Sequence, residues 1–589
     1  MKNLVHMKRY LKGSYGIVAV SFIFALLSVV CKMAVPFMSG LAVDLIREWF
    51  TPMADTSACQ DKMLIYLLIM AGLIFFGAIF RYFFDLSTAY VGQRLVKKMR
   101  DDVYVSLMES PVSYLDTHYH GDLLLRLTND IENVQNGLIT GAGALYEGAV
   151  QIIITIVFMF YLNWLLGIAV VVLTPLSILV SKTISSHNAK YFKEQNASLG
   201  EITSFSNESI ANLECIQAYG IEKEKEEAFD SKNVAFRDSS FRAIWASSWI
   251  NPSTRLVNNI IYASVILLGV WIMLDLNSDA PQYFGFLSGF TVGALSSFLT
   301  YSYQYMTPFN EIADAASDIF YADASLGRVM ETVLSPKDVD NGTKKIKGEV
   351  NTLEAKNMVF SYDCKRTIIN NFSLDIYKGH KIALVGTTGC GKTTIINLLE
   401  RFYDPQEGGF YFNGIPSQEI SKADMRSHIG MVLQETWLAK ASIFDNIAFG
   451  KPNATKEEVV EAAKKAHADE FIRRMPEGYD TIIHNDSGLS TGQKQLLCVA
   501  RIILAHPEIV LLDEATSNID LRTELALGDA FDELMKGKTS IVVAHRLSTI
   551  KNADLILVMK DGCIMEQGNF AELMEKNGFF ADLYRSQLV

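Results

Sequence analysis

The chain has 589 residues, half of them hydrophobic, with a mean hydropathy of +0.18 and a formal net charge of −12. That length exceeds what one hydrophobic core serves, so at least two domains are expected. The acidic balance argues against a nucleic-acid partner, which needs a basic face. The seven cysteines stand at no paired or metal-type spacing, as suits a reduced compartment for most of the chain.

The apolar excess lies in the first part, up to about residue 325. The opening "MKNLVHMKRYLKG" is basic and amphipathic, and it runs into an apolar stretch too long for a signal-peptide core. It reads as a membrane-surface elbow before a retained first helix. Stretches long enough to span a bilayer are Tyr15 to Ile46, Met63 to Phe84, Ala144 to Leu162, Trp164 to Ser185, Thr254 to Leu274 and Phe290 to about Pro308. Six spans place both ends of the chain on one side. The segments after the second and fourth spans are rich in Lys and Arg (Arg94, Lys97, Lys98, Arg100; Lys190, Lys193, Lys223, Lys225), whereas Asp275 to Gly289 holds neither. The termini and long loops are therefore expected in the cytosol. These loops, of roughly 60 and 70 residues, are too long to stay uncommitted and are expected to contact another domain. They read as helical extensions of the spans, turning near Pro111 to Gly121 and near Asn207 to Cys215.

Lys32, Arg81 and Glu147 fall in or near spans, where charges are functional candidates but also pair or snorkel. Tyr301 and Tyr305 share one face of the sixth span, with Tyr303 and Met306 nearby and Glu311, Asp314 and Asp318 below. That pattern fits helix packing or an aromatic, acid-rimmed cavity for amphipathic or cationic compounds. The segment Leu334 to Val350 is rich in Pro, Gly and charge and marks a boundary. The expected domains are a transmembrane domain over 1–334, a linker over 335–350 and an α/β domain over 351–589.

In the α/β domain, "KIALVG" is a short buried strand that feeds "GTTGCGKTT". This is a phosphate loop made of Gly386, Thr387, Thr388, Gly389, Cys390, Gly391, Lys392, Thr393 and Thr394. Its N–H groups curl around phosphate oxygens, Lys392 reaches the β/γ-phosphates, and the Thr393 hydroxyl ligates Mg²⁺. Cys390 inside the loop is expected to let a thiol alkylator block ATP hydrolysis, with bound ATP protecting; a silent small residue is the alternative. "EIVLLDEATS" is a second buried strand, ending on Asp513, placed to hold Mg²⁺, and Glu514, placed to polarise an attacking water. In "GLSTGQKQLL" a helix opens on Ser490, with an N-terminus suited to an anion.

The phosphate loop, "LSTGQKQ", "VLLDEATSNID" and "VVAHRLST", in this order and spacing, resemble an ATP-binding cassette. With six spans ahead, the whole chain resembles an ABC exporter half-transporter. The resemblance implies an α-helical six-span transmembrane domain followed by an α/β P-loop cassette, working by alternating access on ATP and Mg²⁺. It implies adenine stacking by Tyr362, Mg²⁺ contact by Gln434, γ-phosphate contact by His545 and a place for Asp520 in the loop joining two sites. Ser490, Gly492 and Gln493 would bind the ATP of a partner cassette. The turns near Leu115 and Asn212 would be coupling helices, and the setting a bacterial cytoplasmic membrane. Two departures stand out: Thr491 replaces the usual glycine, its Cβ expected to crowd the turn, and "TIIHNDSGLS" is one residue short, with His484 and Asn485 where the family has Gly-Glu. A complete catalytic set beside an altered signature resembles the competent half of a heterodimeric multidrug-type exporter, with a homodimer as the alternative. A hydrophobic or amphipathic substrate is expected, drug-like or lipid; a lipid flippase and a peptide exporter stay open. An ATP-gated channel would favour a damaged hydrolytic site, and this one is intact.

Overall fold

The computed structural model describes residues 3–50, 56–276, 290–363, 365–433, 436–484, 488–513, 520–544 and 550–586. A bilayer gives a backbone no partner but itself, so a spanning segment must close its hydrogen bonds within a helix. The long helices are α1 (Tyr15–Trp49), α2 (Thr56–Met108), α4 (His120–Leu162), α5 (Trp164–Ala211), α7 (Glu222–Ser248), α8 (Ile250–Leu276) and α9 (Val292–Val333); between them lie the short α3 (Val112–Thr117) and α6 (Leu213–Tyr219). Each expected span falls on one of these helices. Among the described residues, α1, α2, α4 and the stretch Arg255–Asp275 of α8 are apolar and long enough to cross a membrane, and Trp164–Pro175 adds a shorter apolar run. The helix α9 is more polar, carrying Ser296, Ser297, Thr300, Ser302 and Gln304. An elbow helix, Met7–Leu11, precedes α1, and Gly13 at φ +88° makes the bend.

By contact the chain forms two units: Met1–Met108 with His120–Ser335, and Glu109–Tyr119 with Pro336–Val589. In the first unit α1 and α9 approach closely at their glycines. A Cβ on Gly40 would stand 1.9 Å from Ser297 Oγ, and one on Gly293 would stand 2.0 Å from the Gly40 carbonyl oxygen. Small residues are what allow two membrane helices to touch backbone to backbone. Asp44 then secures the start of α9, accepting from Thr291 Oγ1 at 2.5 Å and from the Gly293 N–H at 2.8 Å. The helix α4 carries π-turns at Arg126–Asp130 and Asn136–Thr140.

The first of the two expected turns falls where expected, on α3, which packs as part of the second unit. The second opens at Asn212, within the expected Asn207 to Cys215, and extends past it: α5 ends at Ala211 and α6 is stopped by Gly220 at φ +64°, a left-handed cap that only glycine adopts freely.

The second unit holds two sheets. One has the order β2-β1-β4-β5 (β1 Thr352–Phe360, β2 Ile369–Tyr377, β4 Glu407–Phe412, β5 Ile415–Pro416) and is antiparallel. The other has the order β10-β9-β3-β8-β7-β6 (β3 Lys381–Gly386, β6 Ile429–Val432, β7 Ile509–Asp513, β8 Thr539–Val543, β9 Leu555–Lys560, β10 Cys563–Gly568) and is parallel except for β10. Its inner strands read as unbroken Val, Ile and Leu because both faces are covered. The segment expected as a linker is tied down. Asp338 pairs with Lys422, Asp340 accepts from the N–H groups of Gly342 and Lys422, and Ile346 and Val350 are buried in the cassette core.

Two outcomes follow from this packing. Replacing Gly40 by Leu forces α1 off α9 at a site with no slack, an overpacking cost of about 1–3 kcal/mol or more, read as a lower melting temperature in detergent. Glu400 ends the helix after the phosphate loop at 6% exposure, and burial pushes its carboxyl up to about 7, against the pull of nearby Arg426. The folded chain thus keeps a proton that the unfolded chain loses near 4.5, so stability from this site falls as pH rises from about 4.5 to 7. Glu400→Gln should raise the melting temperature more at pH 8 than at pH 5, measured by differential scanning fluorimetry.

Candidate active site

The phosphate loop leaves the carboxyl end of β3 and enters helix α10 (Lys392–Leu399), and Gly391 at φ +103° makes the entry. A side chain there would be strained and would stand 2.7 Å from Ile369 Cδ1, so the glycine is required by both backbone and space. Thr387, Thr388, Gly389 and Thr393 are exposed along the loop, while Cys390, Gly391, Lys392 and Thr394 are buried. Lys392 folds back on the loop and its Nζ donates to the Gly386 carbonyl at 2.8 Å and the Thr387 carbonyl at 3.0 Å.

β8 lies between β3 and β7, so their carboxyl ends open on one edge, where doubly wound sheets bind ligands. That order brings Thr393 Oγ1 to 3.5 Å from Asp513 Oδ2, across 120 residues of chain. A hydroxyl and a carboxylate form an all-oxygen donor set, the kind a hard divalent cation takes. Gln434, Glu514 and His545 lie outside the described residues.

Tyr362 is half-exposed beside the loop. Its hydroxyl donates to Thr394 Oγ1 at 3.3 Å and accepts from Asn397 Nδ2 at 3.4 Å. Its ring meets Tyr403 edge-on, with centroids 4.9 Å apart. Tyr403 in turn donates to the Asp116 carboxylate on α3, and burial together with that carboxylate holds its hydroxyl well above the usual phenol range. No spacing argument singles out Tyr403 or Asn397; the fold alone brings them to Tyr362.

Helix α11 (Thr491–Ala505) opens with a reciprocal cap: the Gln493 N–H donates to Ser490 Oγ at 3.2 Å, and the Ser490 N–H donates to Gln493 Oε1 at 3.0 Å. Such a box satisfies two otherwise orphan N–H groups. The Ser490 oxygen accepts in this cap, so its own O–H remains a donor. The Gln493 side chain is turned back onto Ser490, which makes it a capping group rather than an outward one. Thr491 is the first helical residue, exposed, with no left-handed backbone. A helix start suits any L-residue with negative φ, so Thr491 carries no backbone strain. Gly492 is buried one position on, and Asp520 caps the next helix, accepting from the Thr523 N–H at 3.0 Å.

In the membrane unit, Tyr301 and Tyr305 are fully packed rather than cavity-lining. Tyr301 is 0% exposed, donates to the Met33 carbonyl at 2.5 Å and stacks on Phe158 at 5.2 Å. Tyr303 is the exposed one. Arg81 is neutralised by Asp85 at 3.0 Å and by Glu147, so two of the three candidate charges are explained by pairing.

Residues 18–297 match the family described as the ABC transporter transmembrane region, and residues 369–517 match that described as ABC transporter. The chain is 34% identical over 495 residues, 84% of its length and 76% of the relative's, to the fatty acid ABC transporter ATP-binding/permease protein of Mycobacterium bovis. It is 32% identical over 578 residues, 94% of its length and 96% of the relative's, to the ATP-dependent lipid A-core flippase of Haemophilus influenzae. Among solved structures, a bacterial Atm1-family ABC exporter with ATP bound superposes with a TM-score of 0.77 at 26% identity, over 98% of this chain and 99% of that one.

The burial of Cys390, at 3% exposure, revises the expectation of easy alkylation. A thiol held under the loop is shielded, so N-ethylmaleimide should modify exposed Cys215 at least about tenfold faster than Cys390 in nucleotide-free protein, followed by peptide mass spectrometry. A helical membrane unit, a phosphate loop set against an acidic strand end, and full-length similarity to exporters agree: the chain is an ATP-hydrolysing transporter and belongs to the ABC exporters with fused transmembrane and ATP-binding domains.

Proposed function

We propose that the chain is one half of a dimeric exporter that moves a hydrophobic or amphipathic substrate across a bacterial cytoplasmic membrane, with both termini in the cytosol. The observation that carries this reading is the approach of Thr393 to Asp513 at the open edge of the cassette sheet. Tyr362 stacks on adenine, and the N–H groups from Thr387 to Thr394 cradle the phosphates, with Gly386 and Gly391 keeping the loop tight. Phosphate draws the Lys392 ammonium off the carbonyls of Gly386 and Thr387. Mg²⁺, held by Thr393, Asp513 and Gln434, supplies charge neutralisation at the phosphates. Glu514 orients and polarises the attacking water and His545 contacts the γ-phosphate.

The second half of each site comes from the partner cassette. Ser490 presents a free O–H, and the first N–H groups of α11, including that of Gly492, point to where an anion would sit. Exposed Ile210, Leu213 and Tyr219 at the far end of the second cytosolic loop form an apolar tip that needs a cover, which a partner's cassette provides. A partner with a different sequence is favoured by Thr491 in the signature and by the shortened stretch at His484 and Asn485. ATP-driven closure then switches the spans, by differential binding to the closed state.

The experiment is ATP turnover and mass measured together on the purified chain. Glu514→Gln should lower turnover by about 10²–10⁴-fold, the range for loss of a general base. An active homogeneous dimer selects the homodimer. Turnover that appears only with a second half-transporter selects the heterodimer. Full activity in Glu514→Gln refutes the assignment of the base.

A further inference from the structure

Among the described side chains, three basic ones lie in or at the ends of spans: Lys32, Arg81 and Arg255. Arg81 has two carboxylates. Among the described residues Lys32 and Arg255 have none, and each opens into its own cavity. Lys32 stands midway along α1, exposed, and among the described residues its one hydrogen bond is to Gln151 Oε1 at 3.3 Å. Gln151 is itself buried and held in place by its Nε2, which donates to the Gln304 carbonyl on α9 at 3.0 Å. The cavity at Lys32 has about 490 Å³, with walls of Met70, Leu73 and Ile74 from α2. The cavity at Arg255 has about 780 Å³ and includes Asn259, Tyr303 and Met306. Thr300 of α9 belongs to both, so the two cations flank a single helix.

A lysine at the centre of a spanning helix is costly to insert unless something pairs with it. One amide dipole returns little of that, and the molecule has other ways to fill the position with an apolar residue. Among the described residues, the carboxylates that could balance it are engaged or lie elsewhere. Glu147 and Asp85 hold Arg81, Asp44 caps α9, and neither Glu311 nor Asp318 lines either cavity. A bound guest is then the group that can bring the missing charge. Gln304, which lines the Lys32 cavity, also has a buried Oε1 without a hydrogen-bond partner among the described residues, an acceptor for a hydroxyl or amide beside the anion.

We propose that Lys32 and Arg255 receive the head group of an anionic amphiphile, a carboxylate or phosphate on an acyl chain, and that this is the substrate class of the exporter. The inference rests on the exporter reading and narrows it. The apolar walls at Met70, Leu73 and Ile74 accept the chain, and the cation selects the head group. A cationic drug is repelled at both cavities, which reverses the preference that an acid-rimmed sixth span would give.

The test is binding to the full chain in nanodiscs of phosphatidylcholine. A fluorescent hexadecanoate is displaced by hexadecyl phosphate, hexadecanol or hexadecyltrimethylammonium. Hexadecyl phosphate should compete at least about tenfold better than the other two. Lys32→Gln should bring it close to the alcohol without weakening the alcohol, and Lys32→Arg should keep the preference. Equal competition by all three on the unmodified chain overturns the proposal, whether or not the variants fold; a carboxylate supplied to Lys32 by a partner subunit would give that result. ATP turnover and its loss in Glu514→Gln, measured in the same nanodiscs with any native partner included, test the exporter reading separately. Turnover without head-group preference defeats the anion site alone, and head-group preference without turnover defeats the exporter reading alone.

Discussion

The carboxyl edge of the parallel sheet is the constraint on which the cassette depends. Strand order places β8 between β3 and β7, and so sets the distance at which a phosphate loop and an acidic strand end can share a ligand. The strands need only be apolar and β-branched to hold that order. The chemistry sits where they stop, on glycines and short polar side chains that a buried strand could not carry. Because Gly391 alone accepts both the left-handed backbone and the nearby Ile369, the loop cannot drift without losing the start of α10.

The membrane unit answers a different constraint, since lipid offers no hydrogen bonds. Its helices run far beyond the length a bilayer needs, as α2 does over 53 residues, and α3 and α6 stand at their far ends. One of those turns, α3, delivers Asp116 to Tyr403 within the second unit. Tyr403 touches Tyr362, and Tyr362 bonds Thr394 of the phosphate loop. The first cytosolic loop is thereby joined to the nucleotide site through three side chains, with no regular secondary structure in between.

Much of this was legible in the sequence. Apolar length located the spans, glycine and lysine spacing located the phosphate loop, and the carboxylate at the end of a buried run located Asp513. What the sequence did not show depends on which face of a helix meets which neighbour. Tyr301 and Tyr305 share a helical face, but only packing against Met33 and Phe158 decides that the face is closed. Arg81 and Lys32 look alike as intramembrane cations; one finds carboxylates 4 and 66 residues away and the other finds an amide. Thr491 stands where a glycine is usual, yet the backbone of a helix start does not require one. Glu514, Gln434 and His545 rest on spacing and resemblance.

The segment after α9 carries a practical consequence for anyone dissecting the protein. Composition marks residues 335–350 as a spacer to be cut, yet Asp338, Asp340, Ile346 and Val350 are fastened to Lys422, Gly342 and the cassette core. An isolated cassette begun at Thr352 would present a bare apolar seam where Ile346 and Val350 had lain, and would leave Lys422 without its carboxylate. The natural first residue of a free-standing cassette is therefore near Pro336, and sequence added ahead of that point, rather than within the strap, is what would lengthen the tether without dismantling the domain.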